Sequence, residues 1–406
     1  MSYSIHLGDC RTVLTQMATC SVDADVCDPP YGISFMGAGW DHEVPGPDHW
    51  RAALRVLKPG AHLLAFGGTR TFHRLTCAIE DAGFEIRDCL QWIYGQGFPK
   101  SHNGPWGGTA LKPAWEPIVL ARKPLRGTVA SNHAAFGTGG LNIDACRIAT
   151  DWSDRSEAWK RSGHSAKPDA EKIAAPPGTG INCHPDGRWP SNVLLTHDSR
   201  CKRRGTMLVR SSNAPGKGQD PDARAWSDEG GWMRQPGAAA ARLAELSRDG
   251  YEEVADWLCA EDCPVRILDQ QSGASGAHSR ASGQSLIGSG FSARGRQRRQ
   301  PTFHADRGGA SRFFYCAKAA RNERGAGNNH PTVKPVALLR YLVRLVTPPG
   351  GIVLDQYMGS GSTGVAALSE GRSFVGIDLD STNVATARAR IRNVAPLLGA
   401  SAEAAE

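Results

Sequence analysis

The stretch IVLDQYMGSGSTGVAALSEGRSFVGID (352–378) decides the fold of this chain. A short apolar segment leads into a glycine-rich turn, a helix-forming run follows, and a second apolar segment ends at Asp378. Gly359 and Gly361 allow backbone torsions and close approaches that other residues do not. Together these features are typical of the first strand-to-helix turn of a doubly wound sheet. Adenosine-type cofactors bind at that turn, and an acid at the next strand end can bind the ribose hydroxyls. No Gly-Lys-Ser or Gly-Lys-Thr follows, which argues against a nucleoside triphosphate site.

The rest of the chain extends this pattern on both sides of an irregular middle. Strand-like and helix-like segments alternate in residues 1–125 and 311–395, which predicts an α/β fold with a doubly wound, mostly parallel sheet. Residues 126–310 are rich in Gly, Pro, Ser and Arg, and this composition indicates an inserted, loop-rich region that contacts a partner. Residues 396–406 are interpreted as a flexible tail.

Local signals place a few elements more closely. The segment DHWRAALRVLKPGAHLLAFGG (48–68) predicts a helix, a Pro-Gly turn and a strand. Within the inserted region we expect one helix near 238–258. Two strands that rejoin the sheet are expected in GRWPSNVLL (187–195) and SRFFYCAK (311–318).

Composition sets wider limits on the class of protein. Of 406 residues, 40% are hydrophobic and 21% charged, which is typical of a globular protein. A net charge of +7 permits a polyanionic partner. No apolar run approaches the roughly 18 residues of a membrane span, so we expect no membrane partner. The 11 cysteines, with no evident secretory signal, predict a reducing cytoplasm as the location.

A second short stretch, ADVCDPPYGIS (24–34), carries the candidate chemistry. Each proline fixes its own φ and lacks a backbone N–H, so the segment from Asp28 to Tyr31 is stiff and extended. Pro29 and Pro30 therefore hold a carboxylate, free carbonyl oxygens and an aromatic ring rigidly at a strand end. In a parallel sheet the carboxyl ends of the strands share one edge, so this segment and the glycine turn can meet there.

In this combination the sequence resembles the DNA amino-methyltransferases that use S-adenosylmethionine. DPPY (28–31) is similar to their catalytic motif, and DQYMGSGSTG (355–364) is similar to their cofactor loop. NNHPTVKP (328–335) and LGDC (7–10) resemble the segments that precede the loop and the catalytic strand. The order found here is similar to the β group, in which the target-recognition region lies between the two motifs. The resemblance implies double-stranded DNA as partner and a bacterial or phage enzyme. Oligomeric state, recognition sequence and any cognate endonuclease stay open.

The resemblance also implies roles for the catalytic stretch. Asp28 and the carbonyl of Pro29 would accept the two N–H groups of an exocyclic amine, and Tyr31 would stack on the base after it is flipped from the duplex. Adenine N6 is the expected target, because the cytosine N4 enzymes more often carry Ser at the position of Asp28. Cytosine N4 and RNA remain alternative targets. Gln356 and Tyr357 replace the Pro-Phe usual in the family, so a DNA-binding protein with impaired catalysis is a further alternative.

A set of cofactor-binding residues follows from the same resemblance. It places Asp9 near the adenine, Asp378 on the ribose, and Asp355 with the glycine turn near the methionine moiety. Thr332 and Lys334 would contribute as well, although Lys334 could equally be a solvated residue at a helix start. The complete set is Asp9, Asp355, Tyr357, Gly359, Gly361, Asp378, Thr332 and Lys334.

Two pairs of residues in the irregular region have the spacing of metal ligands. THDSRC places His197 and Cys201 four apart, and LCAEDC places Cys259 and Cys263 four apart. Such pairs suit a tetrahedral structural Zn²⁺, which would stabilise a region with little apolar core. Alternatively, the two later cysteines line one face of a helix and His197 lies at the surface. Rival ligands are Cys183 and His184.

Two basic runs in the same region are candidates for phosphate contacts. RCKRRG (200–205) and ARGRQRRQ (293–300) could neutralise backbone phosphates, or they could be solvated loops. The residues concerned are Arg200, Lys202, Arg203, Arg204, Arg296, Arg298 and Arg299.

Overall fold

The computed structural model describes residues 1–34, 39–94, 103–148, 188–198, 200–210, 251–261, 263–272, 311, 314–318 and 333–394. Several predicted features lie outside these ranges, namely the tail at 396–406, Thr332, Cys183, His184, Arg296, Arg298 and Arg299. The bounds of the inserted region, 126 and 310, stay a prediction.

The described residues form eleven strands and eight α-helices. The strands are β1 (Tyr3–Leu7), β2 (Val22–Cys27), β3 (Leu57–Phe66), β4 (Glu85–Ile93), β5 (Trp115–Arg122), β6 (Val193–His197), β7 (Lys202–Arg210), β8 (Tyr251–Leu258), β9 (Tyr315–Lys318), β10 (Ile352–Asp355) and β11 (Ser373–Asp378). The helices are α1 (Cys10–Gln16), α2 (Pro47–Val56), α3 (Phe72–Asp81), α4 (Val129–Phe136), α5 (Pro264–Ser272), α6 (Val336–Val346), α7 (Ser362–Ser369) and α8 (Ser381–Val394). Among them, none is both long and apolar enough to cross a bilayer.

Nine of the strands form one mostly parallel sheet in the order β1-β11-β10-β2-β3-β5-β4-β6-β9. Only β5 runs antiparallel to its neighbours β3 and β4. The predicted Pro-Gly turn lies inside β3, where the pairing with β2 jumps from Val22↔Leu57 to Ala24↔His62. Gly60 has φ +77° there, a torsion that favours glycine. The prediction of a mostly parallel sheet is confirmed.

Helices cover both faces of this sheet, because its strands are apolar on both sides. In β3, Leu63 and Ala65 pack into the core shared with α1, α2 and α3. The alternate residues Leu64 and Phe66 pack into the opposite core, which contains α6, α7 and α8. Alternation of side chains along a strand produces this division. The sheet is therefore doubly wound, as the sequence predicts.

The middle of the chain contributes to the main sheet and also forms a separate ribbon. β6 and β9 extend the main sheet as parallel neighbours, which confirms the two predicted strands. β7 and β8 pair only with each other, as a two-stranded antiparallel ribbon. The predicted helix near 238–258 is wrong for residues 251–258, which are β8. Cross-strand hydrogen bonds to β7 satisfy its backbone there and override the local helix preference of Glu and Ala.

Candidate active site

Four predicted acids lie along one edge of the sheet. Asp378 ends β11 and Asp355 ends β10, whereas Asp28 directly follows β2 and Asp9 follows β1 by two residues. These four strands are adjacent and parallel, in the order β1, β11, β10, β2. Their carboxyl ends therefore share an edge, where doubly wound folds bind ligands.

The glycine turn between β10 and α7 depends on residues without a Cβ. Gly359 and Gly361 have φ of +52° and +79°. A Cβ on Gly361 would lie 2.8 Å from Cβ of Ala387, and one on Gly364 would lie 2.5 Å from Cδ1 of Ile391. Packing of α7 against α8 thus requires the second and third glycines. Gly359, Gly361 and Gly364 have the G-x-G-x-x-G spacing that also occurs in dinucleotide sites. The turn alone therefore does not distinguish a dinucleotide from a cofactor with a single adenosine group.

Asp378 connects the glycine turn to the next strand end. The backbone N–H of Gly359 donates to Oδ2 of Asp378 at 2.7 Å. The Asn383 side chain donates to Oδ1 at 3.1 Å, as does the N–H of Asp380 at 2.9 Å. These bonds fix the carboxylate beside the turn, at the position predicted for ribose binding.

Asp355 is a buried acid for which the described residues supply no cation. Its Oδ1 accepts the N–H of Tyr357 at 3.0 Å. Burial raises the pKa of Asp355 to about 7, because an ionised carboxylate loses hydration there. The neighbouring Asp25 is fully buried, and its pKa is raised by burial and by the charge of Asp355. A ligand cation beside Asp355 would stabilise its ionised form.

The Asp9 carboxylate accepts hydrogen bonds from the first turn of the helix that it precedes. It is the N-cap of α1 and accepts the N–H of Arg11 at 2.8 Å. The Arg11 guanidinium also donates to it and lowers the pKa of Asp9 to about 2. The carboxylate is partly exposed and stays ionised at neutral pH.

The two residues that depart from the family pattern are both in the core. Gln356 is buried, and within the described part of the chain neither its amide atoms nor the Asp25 carboxylate oxygens have a hydrogen-bond partner. The Tyr357 hydroxyl lies 3.0 Å from Nδ1 of His49, and its ring packs against Trp50. Gln356 is thus enclosed in the interior, whereas Tyr357 is partly buried against the core beside α2.

The catalytic stretch forms a compact polar cluster. Asp28 accepts the Tyr31 hydroxyl on Oδ1 at 2.9 Å and the Lys334 ammonium on Oδ2 at 2.7 Å. Oε2 of Glu116 lies 2.9 Å from the same hydroxyl and 3.4 Å from Nζ of Lys334. A phenol has one proton and can donate to only one carboxylate at a time. The Lys334 ammonium pairs with both carboxylates and offsets one of their two negative charges.

Lys334 is buried rather than solvated, which rules out its predicted alternative as a solvated residue. Burial alone would lower the pKa of Lys334, but the carboxylates of Asp28 and Glu116 raise it above its ordinary value. Its Nζ also lies 5.0 Å from the ring centroid of Phe66 and 5.3 Å from that of Tyr31. The cation is thus held between two acids and two rings.

Glu116 was not predicted from the sequence. It reaches this edge because β5 runs antiparallel, so the first residues of β5 lie beside the last residues of β4. Tyr94, which follows β4, donates its hydroxyl to Oε1 of Glu116 at 3.2 Å. The only sequence signal was an acid at the start of an apolar strand, in WEPIVLAR (115–122).

Asp41 is a second residue that the sequence did not reveal. Its carboxylate accepts the backbone N–H groups of Tyr31, Gly32 and Ile33 at 2.6, 2.9 and 3.3 Å. The Thr71 hydroxyl donates to the Tyr31 carbonyl at 2.6 Å. These bonds hold the chain that follows the two prolines.

The other predicted residues lie away from this cluster. Arg200 pairs with Asp198, and Arg204 pairs with Asp256. Lys202 and Arg203 are exposed on the ribbon. The ligand atoms of His197, Cys201, Cys259 and Cys263 all lie within 4.8 Å of one another, so the structure brings the predicted metal ligands together.

Comparison with known proteins gives the following similarities. A family model described as DNA methylase (N6/N4 methyltransferases) matches residues 22–389. The DNA adenine methyltransferase YhdJ of Escherichia coli is 49% identical over 53 residues, which are 13% of this chain and 18% of the relative. The chain therefore matches less than a fifth of the length of that relative.

Two solved structures resemble the chain at low sequence identity. The crystal structure of M1.HpyAVI has 13% identity and a TM-score of 0.40, and the match covers 96% of this chain and 98% of that one. The PvuII DNA methyltransferase (cytosine-N4-specific) has 12% identity and a TM-score of 0.40, with 96% and 86% covered. Because the family model spans most of the sequence, including the catalytic stretch and the glycine turn, the chain belongs to the DNA methylase family of N6/N4 methyltransferases.

Proposed function

We propose that this protein transfers the methyl group of S-adenosylmethionine to the N6 amino group of adenine in duplex DNA, after the base is flipped from the stack. One observation carries the proposal. Asp28, in its rigid proline-flanked segment, lies at the same sheet edge as the turn that joins Asp355 to Gly359 and Asp378. An amine acceptor and a nucleoside site thus lie on adjacent strand ends.

The residues of the turn fit this cofactor. Asp355 is a buried acid with a raised pKa. An ammonium group, such as that of the methionine moiety, would stabilise its ionised form. Asp378 is held at the turn by the Gly359 N–H and retains lone pairs for ribose hydroxyls. When bound, the cofactor supplies an electrophilic methyl group on a sulfonium.

Asp28 and Pro29 would prepare the amine for reaction. A neutral exocyclic amine is a poor nucleophile because its lone pair is delocalised into the ring. Hydrogen bonds from its two N–H groups to fixed acceptors favour a tetrahedral nitrogen with a freer lone pair. Among the described residues no hydrogen bond reaches the Pro29 carbonyl. Asp28 uses one acceptor position on each oxygen, and an ionised carboxylate has about four. Both groups therefore retain acceptor capacity for the two N–H groups of the amine.

Adenine is favoured over cytosine by two points. Asp28 occupies a position where the resembling cytosine N4 enzymes more often carry Ser, and YhdJ is named a DNA adenine methyltransferase. Chemistry alone does not choose, because both bases present two N–H groups on an exocyclic nitrogen.

The direct test is to incubate the protein with labelled S-adenosylmethionine and unmethylated duplex DNA, then digest the DNA to nucleosides. We expect label in N6-methyladenine. Label in N4-methylcytosine would show that the target base is cytosine. Label only in a parallel reaction with RNA would show that the substrate is RNA. Binding of duplex DNA without cofactor binding or transfer would instead favour the impaired DNA-binding alternative.

Cofactor affinity should depend on pH through Asp355. Below its pKa of about 7 the carboxyl group is neutral, so pairing with the ligand ammonium first requires loss of a proton. We expect affinity to fall by up to about tenfold per pH unit below pH 7. Calorimetric titration with S-adenosylmethionine between pH 5.5 and 7 measures this in a range where the ligand ammonium stays charged.

The matched control for that titration is Asp355→Asn, which keeps the shape of the side chain. We expect the variant to bind more weakly than the wild type at pH 7 and to show a flat profile. A flat profile in the wild-type protein would contradict an ionising Asp355 at the cofactor.

A further inference from the structure

We infer that His197, Cys201, Cys259 and Cys263 bind a structural zinc ion that fixes the base of the β7–β8 ribbon to the main sheet. Nδ1 of His197 lies 3.5 Å from Sγ of Cys259 and 3.7 Å from Sγ of Cys263. Tetrahedral coordination with Zn–S of about 2.3 Å and Zn–N of about 2.0–2.1 Å places nitrogen and sulfur roughly 3.6 Å apart. Both nitrogen–sulfur separations therefore match coordination to one metal ion, and all four ligand atoms lie within 4.8 Å of one another.

The chemistry of the cluster selects zinc. Three thiols and one imidazole form a Cys₃His set, which is typical of closed structural zinc sites. His197, Cys201 and Cys263 are almost completely buried, and Cys259 is partly exposed. The Trp257 ring stacks on the His197 ring with centroids 4.2 Å apart and restrains the plane of the imidazole.

Hydrogen bonding alone does not account for this arrangement. A neutral imidazole nitrogen makes one good hydrogen bond, so at most one of the thiols has a strong partner there. The cysteines are unpaired, so no disulfide joins them. Among the described residues, the apolar cluster around them has four buried members, Leu195, Cys201, Cys263 and Val265, with other side chains only partly buried against it. So small a core needs an additional link to hold its segments together.

The positions of the ligands show what the metal would hold. His197 is the last residue of β6 in the main sheet. Cys201 directly precedes β7 and Cys259 directly follows β8, so they flank the first pair of the ribbon, Lys202↔Leu258. An isolated two-stranded ribbon is only marginally stable in water. The ion would join both strands of the ribbon to the sheet edge at a single point.

The ribbon carries basic residues at this base, and this consequence rests on the proposed function. Lys202 and Arg203 are exposed beside the ligand Cys201. A two-stranded ribbon fits the DNA major groove, and its basic residues can neutralise phosphates. Removing zinc should therefore weaken duplex binding and leave cofactor affinity unchanged. Zinc content does not depend on the reaction, so failure of one proposal can be told from failure of the other.

The test begins with metal analysis of full-length protein made in zinc-supplemented medium and purified without chelator. We expect one zinc per chain. Competition with a chelator should show that Cys201→Ser and Cys263→Ser each weaken zinc binding more than about 100-fold. Cys146→Ser, a change at a buried cysteine outside the cluster, should keep wild-type affinity.

A second measurement does not require folded variants. Cobalt substitution in the wild-type protein should give the visible bands of a tetrahedral ion and thiolate charge-transfer bands. Chelation should speed hydrogen exchange in residues 202–210 and 251–258, while β10 and β11 stay protected. Protein that is folded but has no zinc near stoichiometry would overturn the site. Unchanged exchange in the ribbon after complete zinc removal would overturn the structural role.

Discussion

Replacing Asp28 with alanine is expected to lower methyl transfer by a factor on the order of 10³ while cofactor affinity stays unchanged. The variant removes the acceptor that holds one N–H of the target amine, and the Pro29 carbonyl cannot replace it. Of the predicted cofactor residues, Asp355 and Asp378 end β10 and β11, and within the part of the chain that the structure describes none of their hydrogen bonds involves Asp28. Single-turnover transfer to duplex DNA and calorimetric binding of S-adenosylmethionine measure the two quantities separately.

Two further variants sharpen this test. Asp28→Asn keeps the shape and one acceptor oxygen but loses the charge, so we expect an intermediate loss. Asp48→Ala removes an exposed acid whose ion pair in the described part of the chain is with Arg51 at the surface, and we expect wild-type activity. Full activity in Asp28→Ala would refute the assignment of the catalytic stretch.

Much of this site follows from the sequence because parallel strands end at the same edge. Asp28, Asp355 and Asp378 each follow an apolar run that is recognisable as a buried strand. Because the strands are parallel, the acids are expected at one edge of the sheet. This expectation does not require knowledge of side-chain packing. The clustering of His197, Cys201, Cys259 and Cys263 was predictable for a similar reason, since their paired spacing reflects local geometry.

Glu116 and the ribbon show where sequence reasoning fails. Glu116 joins the site only because β5 reverses direction, and nothing within WEPIVLAR indicates its direction in the sheet. YEEVADWL (251–258) contains good helix formers, yet its pairing with β7 makes it a strand. Both outcomes depend on contacts between segments that are distant in sequence. Local propensity and motif spacing do not contain that information.

Replacing Lys334 with methionine is expected to lower methyl transfer on the order of 10²-fold near pH 7. It should also move the acid limb of the pH–rate profile to higher pH. Without the ammonium, the carboxylates of Asp28 and Glu116 lie together in a partly buried site, both within hydrogen-bond distance of the Tyr31 hydroxyl. Two such acids cannot both ionise easily, so the pKa of one rises. An Asp28 that keeps its proton accepts the amine poorly, and activity then appears only at higher pH.

A double variant tests whether charge is the reason. If Lys334 acts by offsetting one of the two negative charges, Lys334→Met with Glu116→Gln should be more active than Lys334→Met alone and should regain the wild-type acid limb. Thermal unfolding shows whether the variants are folded, because breaking a buried ion pair costs about 3–5 kcal/mol. The cofactor contact predicted from the sequence has a different signature. It would weaken S-adenosylmethionine binding in Lys334→Met, and Glu116→Gln would not restore it. If the double variant is no more active than Lys334→Met and the pH profile does not shift, Lys334 acts by binding a ligand and not by offsetting the charge of Asp28 and Glu116.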